Sequence, residues 1–413
     1  MNATLRITAL AAGGDGVGRL DGLAVFVPRT APGDLVDVEL EQHGRLARGR
    51  VRAIRESGPD RVEPPCAHYV QDRCGGCQLQ HIAAPAQRAA KTTIVRDALQ
   101  RIGRVTYPIP QAYAGPTDWR YRISLTLALR RDGPAGAPWR FGLREYDDPE
   151  RVFNLNDCLI TEERIVATWR AVRDAAHLLP DADRLRGTLR RAGAGTALSI
   201  VGGTSWPAAD AGVLANLVAA LSVIYWTPEG GSRRIVFDRR ADPSEPSLSF
   251  TQVNPAVAAS LRDDVISRAL GHKPRTAVDA YSGVGDVAVA LADAGVTVTA
   301  IELDREAAAW AARRLTQPSR SLAARVEQML PRALPADVVI LNPPRAGIDE
   351  RVARVLDKAA PALRAIIYVS CNPATLARDV ARLEQYAVNH MQPYDMFPQT
   401  AHVETLCELV PRR

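Results

Sequence analysis

The strongest constraint on the fold is a change in the sequence pattern at about Gly271. From there, apolar runs that predict strands (TAVDA, TVTAIELD, DVVILN and AIIYVSC) are separated by segments that predict helices, among them 287–294 and 305–315. Apolar strands that alternate with helices are typical of a mostly parallel, doubly wound sheet covered on both faces. Ligands of such sheets bind beyond the carboxyl ends of the strands, so we expect the functional site just after AVDA, AIEL, VILN and IYVS.

The N-terminal part of the chain has a different pattern. Between Leu5 and Ile54, short apolar runs alternate with the turn segments GGDGVG and APGD, which predicts a small all-β barrel of the OB-like kind. Barrels of this size commonly bind oligonucleotides. These arginines of the predicted fourth and fifth strands fit either nucleic-acid binding or a solvated charged face: Arg45, Arg48, Arg50, Arg52 and Arg55.

The region between these two parts is β-rich and contains clustered cysteines. A segment rich in Cys and Gly at 64–81 is followed by a predicted helix at 84–103 and by strand-like runs between 119 and 240. A chain of 413 residues is long enough for about two to four domains. We divide it into a barrel domain (1–58), a β-rich central domain (59–240) and an α/β domain (241–413).

Composition and charge restrict the environment and the partners. The net charge of +6 favours a polyanionic partner such as a nucleic acid, although nearly all of this charge is Arg, which a codon bias explains equally well. No apolar run reaches the roughly 18 residues of a membrane span, and the N-terminus lacks the pattern of a secretory signal. We therefore expect a cytoplasmic protein that does not contact a membrane.

The first strand of the α/β region leads into a glycine-rich turn. In VDAYSGVGD the strand ends at Asp279, and Gly283 and Gly285 precede a helix, which brings backbone N–H groups close to a nucleotide-like ligand. The next strand ends at Glu302, whose carboxylate can accept hydrogen bonds from two ribose hydroxyls. These features favour S-adenosylmethionine as the ligand, although dinucleotide-binding proteins share them.

Later strand ends carry residues suited to chemistry on a base. Asn342 precedes two prolines, whose rigid turn presents its side chain at the sheet edge. Cys371 follows the strand IYVS; a free Cys is usually a buried small hydrophobe, but a thiolate near a helix N-terminus is activated. Its addition at carbon 6 of a pyrimidine makes carbon 5 nucleophilic enough to take a methyl group. Glu404 can then remove the proton from carbon 5.

Together these residues resemble the RNA (uracil-5)-methyltransferases. The family's motifs occur in order as Phe250, Gln252 and Asn254, then Asp279 to Gly285, Glu302, the Pro-Pro-Arg turn, Ser370 to Pro373, and His402 to Glu404. The barrel resembles the family's TRAM domain, so the resemblance covers nearly the whole chain. It implies a Rossmann-like methyltransferase domain with Cys371 as nucleophile and Glu404 as base. The residues expected to bind S-adenosylmethionine are Gln252, Tyr281, Asp286, Glu302, Gln328 and Asn342.

The clustered cysteines also take a role from this resemblance. In a cytosolic chain, the spacing of Cys66, Cys74 and Cys77 indicates a metal or iron–sulfur site rather than a disulfide scaffold. With the distant Cys158, they resemble the four ligands of the family's [4Fe–4S] cluster, for which we expect a structural or RNA-positioning role. Four cysteines also satisfy tetrahedral zinc, and spacing alone does not separate the two.

The RNA class and the base are less constrained. The barrel and the cysteine motif together favour rRNA over tRNA, although archaeal relatives that act on tRNA keep both. Asn342 stands where the family usually has Asp, and Asp286 where Asn is common. An amide at 342 can accept the N3–H of uracil or donate to N3 of cytosine, so an RNA cytosine-5 methyltransferase is an alternative. The known RNA cytosine enzymes use two catalytic cysteines, and here only Cys407 could be the second.

A non-catalytic RNA-binding or assembly protein that retains the fold is the alternative from a different class. Intact Cys371 and Glu404 argue against it, and failure to bind S-adenosylmethionine would favour it. The oligomeric state is unknown, with a monomer favoured.

Overall fold

The structure, a computed structural model, describes residues 2–44, 46–131, 138–249 and 251–412. It contains an N-terminal barrel, a β-rich central region and a C-terminal α/β sheet, which confirms the predicted fold class. Two predicted positions lie outside the described residues: Arg45 of the barrel and Phe250 of the catalytic motif. Among the helices of the described ranges, none is long and apolar enough to traverse a bilayer.

The barrel is closed by pairing its first strand with its fourth. Its strands are β1 (Asn2–Leu10), β2 (Gly16–Leu20), β3 (Leu23–Val27), β4 (Leu35–His43) and β5 (Leu46–Glu56). They follow the order β1-β2-β3-β5-β4, and alternate apolar side chains fill the interior.

The prediction that all of GGDGVG is a turn is wrong, because its second half starts strand β2. The two glycines of this strand allow neighbouring side chains to approach the backbone closely. A Cβ on Gly16 would lie 2.0 Å from Thr30 Oγ1, and one on Gly18 would lie 2.0 Å from Leu5 Cδ1. Glycine here therefore indicates close packing within a strand rather than a turn.

The central region is a mixed sheet with helices between several of its strands. The elements are α1 (Ala67–Val70), α2 (Ala84–Ala98) with a following π-helical turn (Leu99–Gly103), β6 (Ser124–Arg130), β7 (Arg140–Gly142), α3 (Glu163–Asp174), β8 (Arg184–Ala192), β9 (Gly195–Val201), α4 (Ala208–Leu217), β10 (Leu221–Thr227) and β11 (Arg234–Asp238). The strand order is β11-β10-β9-β8-β6-β7. Its core packs around Trp169 and Trp226, both fully buried.

The C-terminal sheet has the predicted doubly wound pattern. Its elements are α5 (Pro255–Gly271), β12 (Thr276–Ala280), α6 (Asp286–Asp293), β13 (Thr297–Glu302), α7 (Arg305–Arg314), β14 (Arg320–Ala323), α8 (Val326–Ala333), β15 (Val338–Leu341), α9 (Glu350–Ala359), β16 (Ala365–Ser370), α10 (Pro373–Arg382), β17 (Tyr386–Tyr394) and β18 (Glu404–Pro411). In the order β14-β13-β12-β15-β16-β18-β17, the pairs from β14 to β16 are parallel, whereas β18 pairs antiparallel with both of its neighbours.

The N-terminal elements pack directly against the C-terminal sheet. Val95 of α2 and Leu99 share a hydrophobic core with Leu376 and Ala377 of α10. A smaller group, which we call the junction cluster, joins the barrel, residues 64–82, which we call the cysteine-bearing segment, and the loop before β18; it consists of Ala31, Leu79, Ile82 and Ala401. The position of the catalytic edge of the sheet therefore depends on residues from all three regions.

Candidate active site

Cys371 and Glu404 are neighbours at one edge of the C-terminal sheet. Cys371 directly follows β16, and Glu404 is the first residue of β18. The two strands are antiparallel neighbours in which Ser370 pairs with Thr405, so Cys371, one residue beyond the end of β16, lies opposite Glu404, one residue earlier on β18. The nucleophile and the base expected from the sequence are therefore brought together.

Glu404 is a buried carboxyl group, with 3% of the residue exposed. Burial raises its pKa to about 7, although a hydrogen bond from Gln252 and the charge of Arg345 oppose this rise. The Gln252 Nε2 donates to Glu404 Oε1 at 3.3 Å. A carboxylate with a raised pKa is a stronger proton acceptor than an exposed one, as a general base near neutral pH requires.

Cys371 is half-buried and lies immediately before α10, whose N-cap is Asn372. The helix N-terminus that the sequence predicts to activate this thiol lies directly beside it. Burial raises the pKa of Cys371, and the neighbouring Glu404 raises it further, while Arg345 lowers it. Burial and the acidic neighbour thus hold the pKa of this thiol above its ordinary value, and Arg345 opposes them.

Arg345 contacts the reactive pair from the Pro-Pro-Arg turn. Its guanidinium lies close enough to lower the pKa of both Cys371 and Glu404. No role for this residue was predicted from the sequence. Its position four residues after the end of β15, at the edge where Cys371 and Glu404 lie, is the feature that could have identified it.

The turn that carries Arg345 is held by a buried carboxylate of α10. Asp379 Oδ2 accepts hydrogen bonds from the Ile348 N–H at 2.9 Å and from the Tyr368 hydroxyl at 2.8 Å. Asn342, at the start of the turn, is exposed, and its N–H donates to the carbonyl oxygen of Ala280. Asn342 therefore stands at the open edge of the sheet, as the two prolines predicted.

The glycine-rich turn after β12 leaves buried polar atoms without partners. Asp279 Oδ2 and Ser282 Oγ have no hydrogen-bond partner among the described residues. Burial, with the charge of Glu302 acting in the same direction, raises the pKa of Asp279 to about 7. Glu302 accepts bonds from the Gly283 and Asp304 N–H groups. Unpartnered acceptors beside a glycine turn fit a ligand that brings ammonium and hydroxyl donors, as S-adenosylmethionine does.

Three further residues were expected to bind the methyl donor: Tyr281, Asp286 and Gln328. Only Tyr281 lies in the glycine-rich turn. Tyr281 adopts a φ of 62° in the same turn, and burial raises its pKa. Asp286 instead forms ion pairs with Arg314 at 2.8 Å and Arg262 at 3.9 Å. Gln328 lies exposed in the first turn of α8. The geometry thus unites Asp279, Tyr281 and Glu302, whereas Asp286 is paired with arginines.

The four cysteines of the central region converge although Cys158 is distant in sequence. Cys66, Cys77 and Cys158 pack in one buried cluster, and all four thiols are free. Burial, with the Cys158 and Cys66 thiols acting in the same direction, raises the pKa of Cys74 to about 12. In the ranges that the structure describes, however, no group of three or more His, Cys, Asp or Glu side chains could hold a metal ion. The predicted metal site is thus not supported by this arrangement.

The fold and the site define a class I methyltransferase with an added nucleic-acid-binding barrel. Two family models match the chain: tRNA (Uracil-5-)-methyltransferase over residues 323–411 and the TRAM domain over residues 3–51. An uncharacterized RNA methyltransferase of Gloeobacter violaceus is 34% identical, with 98% of this chain and 96% of the relative covered. One of Halalkalibacterium halodurans is 30% identical, with coverage of 96% and 94%. The chain belongs to the RNA (uracil-5)-methyltransferase family.

A solved structure shares the whole architecture. The tRNA (uracil-54, C5)-methyltransferase of Pyrococcus abyssi, in complex with S-adenosyl-L-homocysteine, has a TM-score of 0.69 and 24% identity, and the match covers 99% of this chain and 100% of that one. The similarity extends over the barrel, the central region and the catalytic sheet, so the three regions occur together in both proteins.

Proposed function

We propose that the protein methylates carbon 5 of a uridine in RNA through a covalent adduct with Cys371. The observation that carries this proposal is that the Cys371 thiol and the buried Glu404 carboxyl group lie next to each other, where β16 ends and β18 begins. A nucleophile and a base side by side match a reaction in which one group adds to a base and the other removes a proton from the adjacent carbon.

The proposed steps use groups at this edge of the sheet. The Cys371 thiolate adds to carbon 6, and the electron pair shifted to carbon 5 attacks the sulfonium methyl of S-adenosylmethionine, which leaves as S-adenosylhomocysteine. Glu404 takes the proton from carbon 5, the double bond re-forms, and the thiolate is expelled. Arg345, which contacts Cys371, stabilises the thiolate on release. Reaction on a stacked base requires that the base is flipped out of its stack.

Cys407 is poorly placed to act as a second catalytic thiol in a cytosine-type mechanism. It is fully buried in the core, opposite Tyr368 on the neighbouring strand. It lies three residues along β18 from Glu404, about 10 Å away at the usual rise of a strand. Asn342 still accepts the N3–H of uracil through its amide oxygen, so we propose uridine as the target.

We assign RNA binding to the barrel and the central region, with the domain boundaries 1–58, 59–240 and 241–413. A groove of about 850 Å³ beside the cysteine-bearing segment supports this assignment. Its basic lining residues are Arg130, Arg144, Arg184 and Arg186, and the exposed Tyr146 adds an aromatic ring. The acidic lining residue Glu145 is paired with Arg151 at 3.0 Å. Arginines interleaved with an aromatic ring suit a single RNA strand.

We further propose that Cys66, Cys74, Cys77 and Cys158 bind a [4Fe–4S] cluster. The proposal rests on the spacing of these four free cysteines and on the packing of Cys66 and Cys77 with Cys158, not on a preformed ligand geometry. The cluster would contribute a structural link, because no step above involves electron transfer. Iron and sulfide analysis of anaerobically purified protein tests this assignment, with one equivalent of zinc and no iron as the contradicting result.

The function is tested by incubating purified protein and methyl-labelled S-adenosylmethionine with unmodified rRNA and tRNA, followed by nucleoside mass spectrometry. We expect 5-methyluridine in rRNA. Label in tRNA would make the RNA class the same as that named for the Pyrococcus abyssi protein, and 5-methylcytidine would contradict the assigned base.

Replacing Cys371 with Ala should abolish turnover and leave binding of the methyl donor within about twofold of the wild type, because the thiol is needed only for the covalent step. The labelling assay measures turnover, and titration calorimetry measures binding of the methyl donor. Turnover above about a thousandth of the wild-type rate would contradict a covalent mechanism. A cytoplasmic location and a monomeric state stay predictions.

A further inference from the structure

The loop before Glu404 is held by groups that the proposed chemistry does not use. This segment, 395–403, which we call the base loop, connects β17 to β18. Three of its polar residues are buried: Asp395 is 2% exposed, Gln399 is 3% exposed and Thr400 is 3% exposed. Residues from the N-terminal half of the chain hold two of these three, Asp395 and Gln399.

The first tie is a fully buried lysine of α2. Lys91 is 0% exposed, and its Nζ donates to Asp395 Oδ1 and, at 2.9 Å, to the Phe397 carbonyl oxygen. Burial of an ion pair costs free energy that an apolar pair of the same size would not. A charged anchor here therefore serves the orientation of the loop better than it serves stability.

The second tie is reciprocal and involves two glutamines. Gln87 Nε2 donates to Gln399 Oε1 at 3.0 Å, and the Gln399 N–H donates to Gln87 Oε1 at 3.0 Å. The Gln399 carbonyl oxygen accepts from the N–H groups of Gln78 and Leu79, which directly follow Cys77. The side chain and both backbone groups of Gln399 are thus bound to the cysteine-bearing segment and α2.

Glu404, the proposed catalytic base, accepts only a weak hydrogen bond and depends on the base loop for its position. The hydrogen bond from Gln252 to Glu404 is long, at 3.3 Å. The base loop reaches Glu404 through Thr400, whose hydroxyl accepts from the His402 N–H at 3.3 Å, and through Ala401, which packs in the junction cluster. A shift of the base loop would therefore move the Glu404 carboxylate relative to the pyrimidine that is bound to Cys371.

We propose that Lys91 and Gln87 are positioning residues that fix the catalytic carboxylate of Glu404 by clamping the base loop to the cysteine-bearing segment. The inference rests on the proposed function, because it assumes that Glu404 removes the proton from carbon 5. It predicts a specific defect: addition of Cys371 and methyl transfer proceed, whereas resolution of the methylated adduct is slow.

Two variants test the clamp without leaving a buried charge unpaired: Gln87→Leu, and the double variant Lys91→Met with Asp395→Asn. Each is mixed with RNA and methyl-labelled S-adenosylmethionine, and the denaturation-resistant protein–RNA adduct is followed over time on a gel. We expect adduct formation at the wild-type rate, adduct decay at least about tenfold slower, and unchanged affinity for the methyl donor and RNA.

Two reference proteins make the outcomes separable. Glu404→Gln should accumulate the adduct, and Asp337→Asn, which breaks an ion pair with Arg364 at the end of the sheet opposite the site, controls for a general loss of stability. Adduct with Glu404→Gln but normal decay in the clamp variants would overturn the clamp alone. Impaired adduct formation in the clamp variants, matched by Asp337→Asn at equal melting temperature, would reduce them to a structural role and overturn the clamp. Absence of adduct with Glu404→Gln would overturn the base assignment and the clamp with it.

Discussion

The ionisation of two side chains determines how the proposed reaction responds to pH. Glu404 must be deprotonated to act as a base, and its pKa of about 7 means that it is largely protonated in mildly acidic solution. Cys371 must be a thiolate, and its pKa lies above the ordinary value of a thiol. Both requirements favour alkaline pH. Neither group therefore causes the reaction rate to fall as the pH rises above neutrality.

We therefore expect single-turnover decay of the methylated adduct to fall about tenfold for each pH unit below about 7, because that step depends on ionised Glu404. Adduct formation should instead rise with pH up to the pKa of Cys371. Quenched-flow measurements from about pH 5.5 to about pH 9, which bracket the pKa of Glu404, separate the two steps. A decay rate that is constant over this range would show that another group removes the proton.

Asn342 is one of the two positions at which the sequence departs from the family's usual residues, and we propose that it contacts the target pyrimidine. An aspartate accepts the N3–H of uracil but cannot donate to N3 of cytosine. We expect Asn342→Asp to raise kcat/KM for uridine RNA by up to about tenfold, since an ionised acceptor strengthens that bond by about 1.4 kcal/mol. The labelling assay on matched RNAs with uridine or cytidine at the target measures it, and a fall in uridine activity would contradict the assumed hydrogen bond.

Among the structural elements, the Pro-Pro-Arg turn is closely packed against α10 beside the site. Gly347 in this turn has a φ of 77°, and a Cβ there would lie 2.2 Å from Asp379 Oδ2. The glycine therefore permits the bond of Asp379 to the turn, which in turn places Arg345 against Cys371.

Gly347→Ala should lower kcat by about tenfold or more and destabilise the protein by about 1–3 kcal/mol, because it adds a collision to an unfavourable φ. Gly295→Ala is the matched control: its φ is 87°, but a Cβ would meet nothing within 4 Å. The control should lose stability alone. Equal kcat in the two variants would mean that the turn does not position Arg345. Thermal melting and steady-state kinetics provide both readouts.

Prediction from sequence succeeds at this scale where periodicity or strand ends carry the signal. The four apolar strands β12, β13, β15 and β16 follow from the sequence pattern, whereas Glu404 was assigned only because the chemistry of Cys371 requires a base. Strand β2 was missed because its glycines resemble a turn, and the unpartnered acceptor Asp279 Oδ2 becomes evident only from burial. The tie of Lys91 to Asp395 joins residues 304 positions apart, and no local pattern encodes it.

At the scale of the whole molecule, the arginine-lined groove of the central region is the path that we propose for RNA. Arg184 lies opposite Arg130 across the β6–β8 pair, and both line the groove together with Arg186. Guanidinium groups along one strand face can follow successive phosphates of a single strand.

Replacing Arg184 and Arg186 together with Ala should weaken RNA binding at low salt by about tenfold or more. It should also reduce the slope of log K against log salt by about 0.7 for each phosphate that is no longer neutralised. Arg354→Ala, an exposed arginine of α9 outside the groove, is the control. Fluorescence anisotropy between roughly 50 and 300 mM salt measures both quantities. An unchanged slope would place the RNA elsewhere on the protein.

The bond between Gln87 and Gln399 spans 312 positions of the chain. During synthesis, N-terminal regions leave the ribosome and begin to fold well before the base loop exists. Until then the Lys91 ammonium stays hydrated, because Asp395, with which it forms its buried ion pair, has not been translated. Burial of this lysine is therefore a late event of biogenesis, and a chain too short to contain the base loop also lacks Glu404, the proposed proton acceptor.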